Sequence, residues 1–274
     1  MASKYILSQP DDSFSDFEAQ IETQLEAGFN LTELEYVEDK WLGIFSTVES
    51  ESVYVSSSDD AEFSSSVNTA IEEGHTVVDL ERVNDTWIGL LSKTDHIKTA
   101  YFSAADFEEL ESQVDIYRDK GGEYDFQKYD LSNIEYSGSE WTATFDHSYG
   151  SDSVYDVSDD LTGFKAVVES QADAGFGIGS VEYAEDRWVG VFRESDLETS
   201  VFFVGKNRQE FDTELEQRQE DGFELTDLEI VGDRWVGVFS ESAPVDSDTD
   251  LNDLNQTLTD YNTIRAITNS GLLY

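Results

Sequence analysis

The stretch Gly222 to Phe239, GFELTDLEIVGDRWVGVF, recurs along the chain with small changes. GFNLTELEYVEDKWLGIF starts at Gly28, GHTVVDLERVNDTWIGLL at Gly74 and GFGIGSVEYAEDRWVGVF at Gly175. A more divergent copy, YDLSNIEYSGSEWTATF, starts at Tyr129. A chain that repeats at this interval folds as an array of small units, because one unit alone cannot bury its apolar face. Trp41, Trp87, Trp141, Trp188 and Trp235 mark the period, with spacings of 46, 54, 47 and 47 residues. The repeats run over 4–48, 52–94, 98–148, 153–196 and 199–242.

Each unit reads as strand, helix, strand, strand. In the first, Tyr5 to Leu7 is a short strand, and Pro10-Asp11-Asp12-Ser13 carries helix-start chemistry. Phe17, Ile21 and Leu25 form one apolar stripe, Gly28 ends the helix, and Glu38-Asp39 turns the hairpin that follows. From Phe107 to Trp141 the third unit has 34 residues where the others have 24, so a longer helix or an extra loop is expected near Gly121-Gly122. Residues 243–274 read as an acidic linker and a helix that caps the array. The predicted fold is α+β, with antiparallel sheets on one side and helices on the other. An open trough is expected, and a closed five-fold α/β ring is the alternative. Trp, Gly and Phe share one face of the last strand at 41/43/45, 188/190/192 and 235/237/239. The glycine leaves a slot that a helix or a ligand could fill.

The chain carries 61 acidic against 16 basic residues, a formal net charge of −45. Such a field disfavours nucleic acid and membrane surfaces. It fits life in high salt, where screening shortens to about 3 Å near 1 M. Local neutralisation by Ca²⁺ is a second reading, and a plain role in solubility a third. No cysteine is present, which excludes disulfides and thiolate chemistry. No segment has the ~20 apolar residues of a membrane span, MASKYILSQPDD lacks a signal-peptide core, and the cytoplasm is the expected compartment.

The five tryptophans are candidate ligand-stacking residues if exposed, and the largest core residues if not. Glu35, Glu81, Glu135, Glu182 and Glu229 recur on the second strand, either as a solvated face or as a ladder of carboxylates that collects cations. Asp246, Asp248 and Asp250 resemble the start of a calcium loop, although Leu251 stands where that loop needs glycine. Ca²⁺ is therefore the one cofactor considered. His75, His96 and His147 occupy unrelated places in their units, and no nucleophile motif is present.

The helix phenylalanine Phe211, then Gly222-Phe223, then Arg234-Trp235-Val236-Gly237-Val238-Phe239 resemble the bacterial tandem repeat modules attached to polyglycine hydrolases. Those modules place a tryptophan near the end of the last strand, where this chain has phenylalanine. The resemblance implies a curved, trough-like scaffold used as an accessory binding part, without the hydrolytic domain. The expected function is a non-enzymatic scaffold that offers a repeated surface to a polymer or protein partner. A homo-oligomeric assembly component and a hydrolase using an Asp/Glu pair are the alternatives.

Overall fold

The structure is a computed structural model. It describes residues 5–7, 14–37, 40–47, 52–83, 86–93, 99–119, 129–136, 140–147, 152–194 and 200–241. In the first unit β1 (Tyr5–Leu7) leads into α1 (Phe14–Glu26) and the hairpin β2 (Asn30–Val37) and β3 (Lys40–Ser46). The second has β4 (Ser52–Ser57), α2 (Asp60–Glu72), β5 (His75–Val83) and β6 (Thr86–Lys93). The third has β7 (Thr99–Ala104), α3 (Phe107–Asp119), β8 (Tyr129–Tyr136) and β9 (Trp141–His147). The fourth has β10 (Ser153–Ser158), α4 (Leu161–Asp173), β11 (Phe176–Ala184) and β12 (Arg187–Glu194). The fifth has β13 (Ser200–Gly205), α5 (Arg208–Glu220), β14 (Phe223–Val231) and β15 (Arg234–Glu241). Among the described residues no helix is long and apolar enough to cross a membrane.

Local chemistry sets these boundaries. Asp59, Asp160 and Asn207 cap helices by accepting the N–H three residues on, as the sequence signals require. Gly28, Gly74, Gly175 and Gly222 end four helices at φ between +87° and +93°, a conformation that costs glycine little. The fourth hairpin turns on Glu185 and Asp186 at φ 51° and 59°, the paired left-handed geometry that matches strand twist. Residues 38–39 and 84–85, the corresponding turns of the first two hairpins, lie outside the described residues.

Every unit forms a three-stranded antiparallel sheet with its last strand in the middle, in the order β1-β3-β2 and its equivalents. The second strand of each sheet carries a bulge, at Thr32, Val78, Ser132, Gly179 and Thr226. The extra residue lets Leu31 and Leu34, three apart, both enter the core beneath the helix. Glu33 and Glu35 are thereby turned to the opposite face.

The helices are buried from two sides. Phe17 and Ile21 pack on Leu31, Leu34, Trp41 and Phe45 of their own sheet, and against Val83, Ile88 and Leu90 of the next unit. Val189 and Val191 complete the third core in the same way, and Val236 and Val238 the fourth. The fifth core, around Phe211, Leu215 and Phe239, is completed by Leu42 and Ile44 of the first unit. The second strands β2, β5, β8, β11 and β14 also meet in that cyclic order, with β14 against β2. The α+β repeat architecture is as expected, but the five units close into a ring of blades rather than a trough. Blade one covers the side of α5 that an open array would leave bare. Helices alternate with sheets around the ring instead of lining one side. Residues 243–274, expected to form the linker and cap, lie outside the described residues.

The slot between Trp and Phe is filled by the helix. A Cβ at Gly190 would lie 2.8 Å from Cζ of Phe164 and 2.9 Å from Cε2 of Phe192. Blade three departs in a compensated way: Leu110 stands where α2 has Phe63, and Ala143 where β6 has Gly89. Helix α3 has the same 13 residues as the other helices. The surplus of that unit therefore falls in 120–128, outside the described residues.

Two outcomes are expected. Gly190→Ala should lower stability by about 1–3 kcal/mol through overpacking, and adding Phe164→Leu, the pairing of blade three, should recover part of it in a denaturant double-mutant cycle. A chain lacking residues 1–48 should lose its single cooperative thermal transition, because the α5 core is left uncovered. An open array would keep that transition and lose only one unit's share of the enthalpy.

Candidate functional site: an acidic annulus on the ring axis

The inner strand of each blade is a sheet edge, and its N–H groups need partners. Side chains of the following blade supply them. Asp79 Oδ2 accepts the Leu34 N–H at 3.0 Å, Asp227 Oδ2 the Val181 N–H at 2.6 Å, and Glu33 Oε1 the Leu228 N–H at 3.4 Å. The last of these joins blade one to blade five. Glu81 accepts from the Tyr36 backbone and Glu229 from that of Tyr183. The acids latch one blade to the next.

Two positions per blade line the axis. They are Glu33 and Glu35, Asp79 and Glu81, Asn133 and Glu135, Ser180 and Glu182, and Asp227 and Glu229. Eight of the ten are carboxyl groups and none is basic. Glu33, Asp79, Glu182 and Asp227 are buried, and Glu35, Glu81, Glu135 and Glu229 half-buried. The groups converge. Burial raises the Glu35 carboxyl well above the usual range, helped by the charges of Glu229, Glu81 and Glu135 on three other blades. Burial likewise raises Glu33, with Asp227 and Asp79 adding to it, and Glu182, with Glu229 and Glu135 adding to it. Asp79, Glu81 and Glu229 shift the same way, again chiefly through burial.

Glu33 acts on Asp227 and Glu135 on Glu182 across the blade boundaries. Two buried carboxyl groups so placed favour a state in which one proton is shared between them. Burial raises Glu135 and Asp227 to about 7. Glu135 accepts from Asn133 Nδ2 at 2.8 Å.

The pattern breaks at blade three. Asn133 Oδ1 accepts the N–H of its own neighbour Ile134 at 2.9 Å. Ser180, at the equivalent position of blade four, is buried and its Oγ has no hydrogen-bond partner among the described residues.

Other sequence candidates fall elsewhere. Trp41, Trp87, Trp141 and Trp188 are buried and Trp235 half-buried, all within blade cores rather than in an exposed row. Trp41, Trp87 and Trp188 stack on Phe17, Phe63 and Phe164 at centroid distances of 6.1, 5.4 and 5.7 Å. The recurrent glutamates are not a solvated outer face. Alternation from Glu35 back to Glu33 is the signal for the second carboxylate of blades one, two and five. His75 is buried, with Nδ1 3.1 Å from the Ala70 carbonyl oxygen. Asp246, Asp248 and Asp250 lie outside the described residues. Among the described residues no three acidic or histidine side chains are disposed around one metal position. The chain matches no protein-family model and no curated protein sequence.

The pH dependence follows from the direction of the shifts. Carboxyl groups raised in the fold bind more protons folded than unfolded, so their contribution is fully present below about pH 4. For Glu135 and Asp227 it is lost as pH rises through about 7. In low salt the unfolding temperature should therefore fall between pH 4.5 and 7.5. Glu182→Gln, which keeps a donor to Glu135 but does not ionise, should flatten that fall. An unchanged slope would place the pH dependence in surface charge.

Proposed function

We propose that this chain is a non-enzymatic scaffold that binds cations, carrying its ligand on the axis of a closed ring. The observation that carries the reading is the convergence of eight carboxyl groups from five blades on one axis whose ten lining positions include no basic residue. Buried carboxylates at such density are tolerated only when neutralised, by protons or by cations. The pairs Glu33–Asp227 and Glu135–Glu182 hold protons in the arrangement described above. A hard cation competes for the same oxygens once they leave, since metal binding to acidic ligands is coupled to proton release. The unpartnered Ser180 hydroxyl supplies a neutral oxygen beside Glu182, at the boundary where a latching carboxylate is missing.

The role of an accessory binding part, implied by the likeness to bacterial tandem repeat modules, is kept in this reading with a ring in place of a trough. The acidic exterior belongs with it as an adaptation to high salt, where monovalent ions are abundant.

Calorimetric titration with CaCl₂ and MgCl₂ at pH 7 in low salt, in two buffers of different protonation enthalpy, tests the reading. Saturable binding with proton release is expected, weakened about tenfold or more, ~1.4 kcal/mol, in the Glu135→Gln/Glu182→Gln variant. Heats that do not saturate, or that are the same in the variant, would assign cation uptake to the outer surface and sink the proposal.

A further inference from the structure

The boundary between blades two and three differs from the others away from the axis. A cavity of about 140 Å³ opens there between α2, β6, β7 and the start of β9. Its wall includes Asp60, Ser64, Trp87, Tyr101, Glu140 and Thr142.

The ring supplies its own controls, because each of these positions recurs at the other boundaries. Asp60 takes the first helical position, held by Phe14, Phe107 and Leu161 elsewhere. Phe14 and Phe107 each meet their tryptophan edge-on at 4.9 Å. Asp60 instead accepts the Trp87 indole N–H at 3.0 Å. Thr142 replaces Leu42, Ile88, Val189 and Val236 on the strand facing the preceding helix. Ser103, also on the wall, stands where blades four and five have Val157 and Val204. Ser64 replaces Glu18 and Glu111, which bond the tyrosines of the next blade at 3.3 and 3.2 Å. At this boundary the tyrosine, Tyr101, lies 2.7 Å from the short Ser64 hydroxyl, and the space of the longer side chain is left open.

Charge narrows the ligand class. Arg82 lies between the two carboxylates, 3.8 Å from Asp60 and 3.1 Å from Glu140, with its guanidinium over Trp87 at 5.2 Å. A cation would compete with a guanidinium already in place, and an anion would meet two carboxylates. The remaining wall offers hydroxyl groups that donate or accept and carboxylates that accept. Neutral hydroxyl-bearing molecules match that inventory. The volume equals that of about five waters at ~30 Å³ each, the size of a three- or four-carbon polyol. From this combination of cavity, lining and charge we infer that the boundary of blades two and three is a binding site for a small neutral polyol.

The site is independent of the axial annulus, and its test does not depend on cations. Glycerol and erythritol serve as probes in calorimetry and saturation-transfer NMR with the full chain, with tetramethylammonium and acetate as charged comparators. Saturable binding of at least one polyol and of neither ion is expected. Ser64→Glu, which restores the acid–tyrosine bond of two other boundaries, should weaken it by about tenfold or more by filling the cavity. Ser103→Val/Thr142→Val, the pairing of blades four and five, should do the same while leaving the unfolding temperature equal or higher. Absence of saturation by either polyol, tighter binding of an ion, or undiminished binding in both folded variants would overturn the inference.

Discussion

The structure depends on a helix that needs two sheets. Each helix is 13 residues long and presents its phenylalanine or leucine to the sheet of its own blade. Its flank is left for the sheet of the next blade, whose middle strand is apolar on that side in every blade but the third, where Thr142 and Thr144 stand. A linear array of such units always has one helix with a bare flank. Closure removes that defect, because Leu42 and Ile44 have the same relation to α5 as Val236 and Val238 have to α4. The glycine between Trp and Phe sets how closely helix and sheet approach. Where blade three has alanine instead, its helix has the smaller leucine.

Closure solves the packing problem and creates a polar one. Five inner strands are brought edge toward edge without forming a continuous ladder, so buried N–H groups on those edges need acceptors. Carboxylates from the next blade serve, and the bulge in every inner strand aims them there. The same repetition that supplies five latches accumulates eight carboxyl groups around one axis. Such groups cannot all be charged in a space with no basic residue. Shared protons between blades one and five and between blades three and four relieve part of the repulsion. Latching and ion chemistry are thus carried by the same side chains, and the stability of the ring is tied to what neutralises them.

The repeat, its strand and helix order, the described helix ends and the hairpin turns at Glu185-Asp186 and Gly232-Asp233 were legible in the sequence because they rest on local signals such as Asp59, Gly74 and the apolar stripe of α2. Closure was not, since it rests on the second apolar face of β3. Leu42 and Ile44 read equally well as a face covered by any partner. The recurrent glutamates stood out by alignment, but their burial did not. Glutamate two residues apart on a strand reads as a solvated face unless the partner strand is known to lie across it. In the third unit Phe107 drew the alignment to itself, whereas the residue in the register of Phe63 is Leu110, with both in the core. The glycine-to-alanine change at Ala143 was the compensating signal. The cavity could be found only by comparing boundaries, which requires knowing which blades are neighbours.

A five-fold ring built from one repeat would have five equivalent boundaries, so departures from equivalence carry information. They are concentrated around blade three. On the axis, Asn133 and Ser180 replace the carboxylates at the two boundaries that flank it. Away from the axis, Asp60, Ser64 and Thr142 replace apolar and acid–tyrosine contacts of other blades at the boundary with blade two. Apolar residues of similar size stand at several of these positions in other blades, so the fold itself does not demand polar ones. Thr142 is buried there, and a buried hydroxyl costs about 1–3 kcal/mol if it is left unpaired. One set of departures borders the axial carboxyl groups and the other lines a cavity open to solvent. Blade three is thus the point at which a symmetric scaffold acquires sites that its repeat alone would not produce.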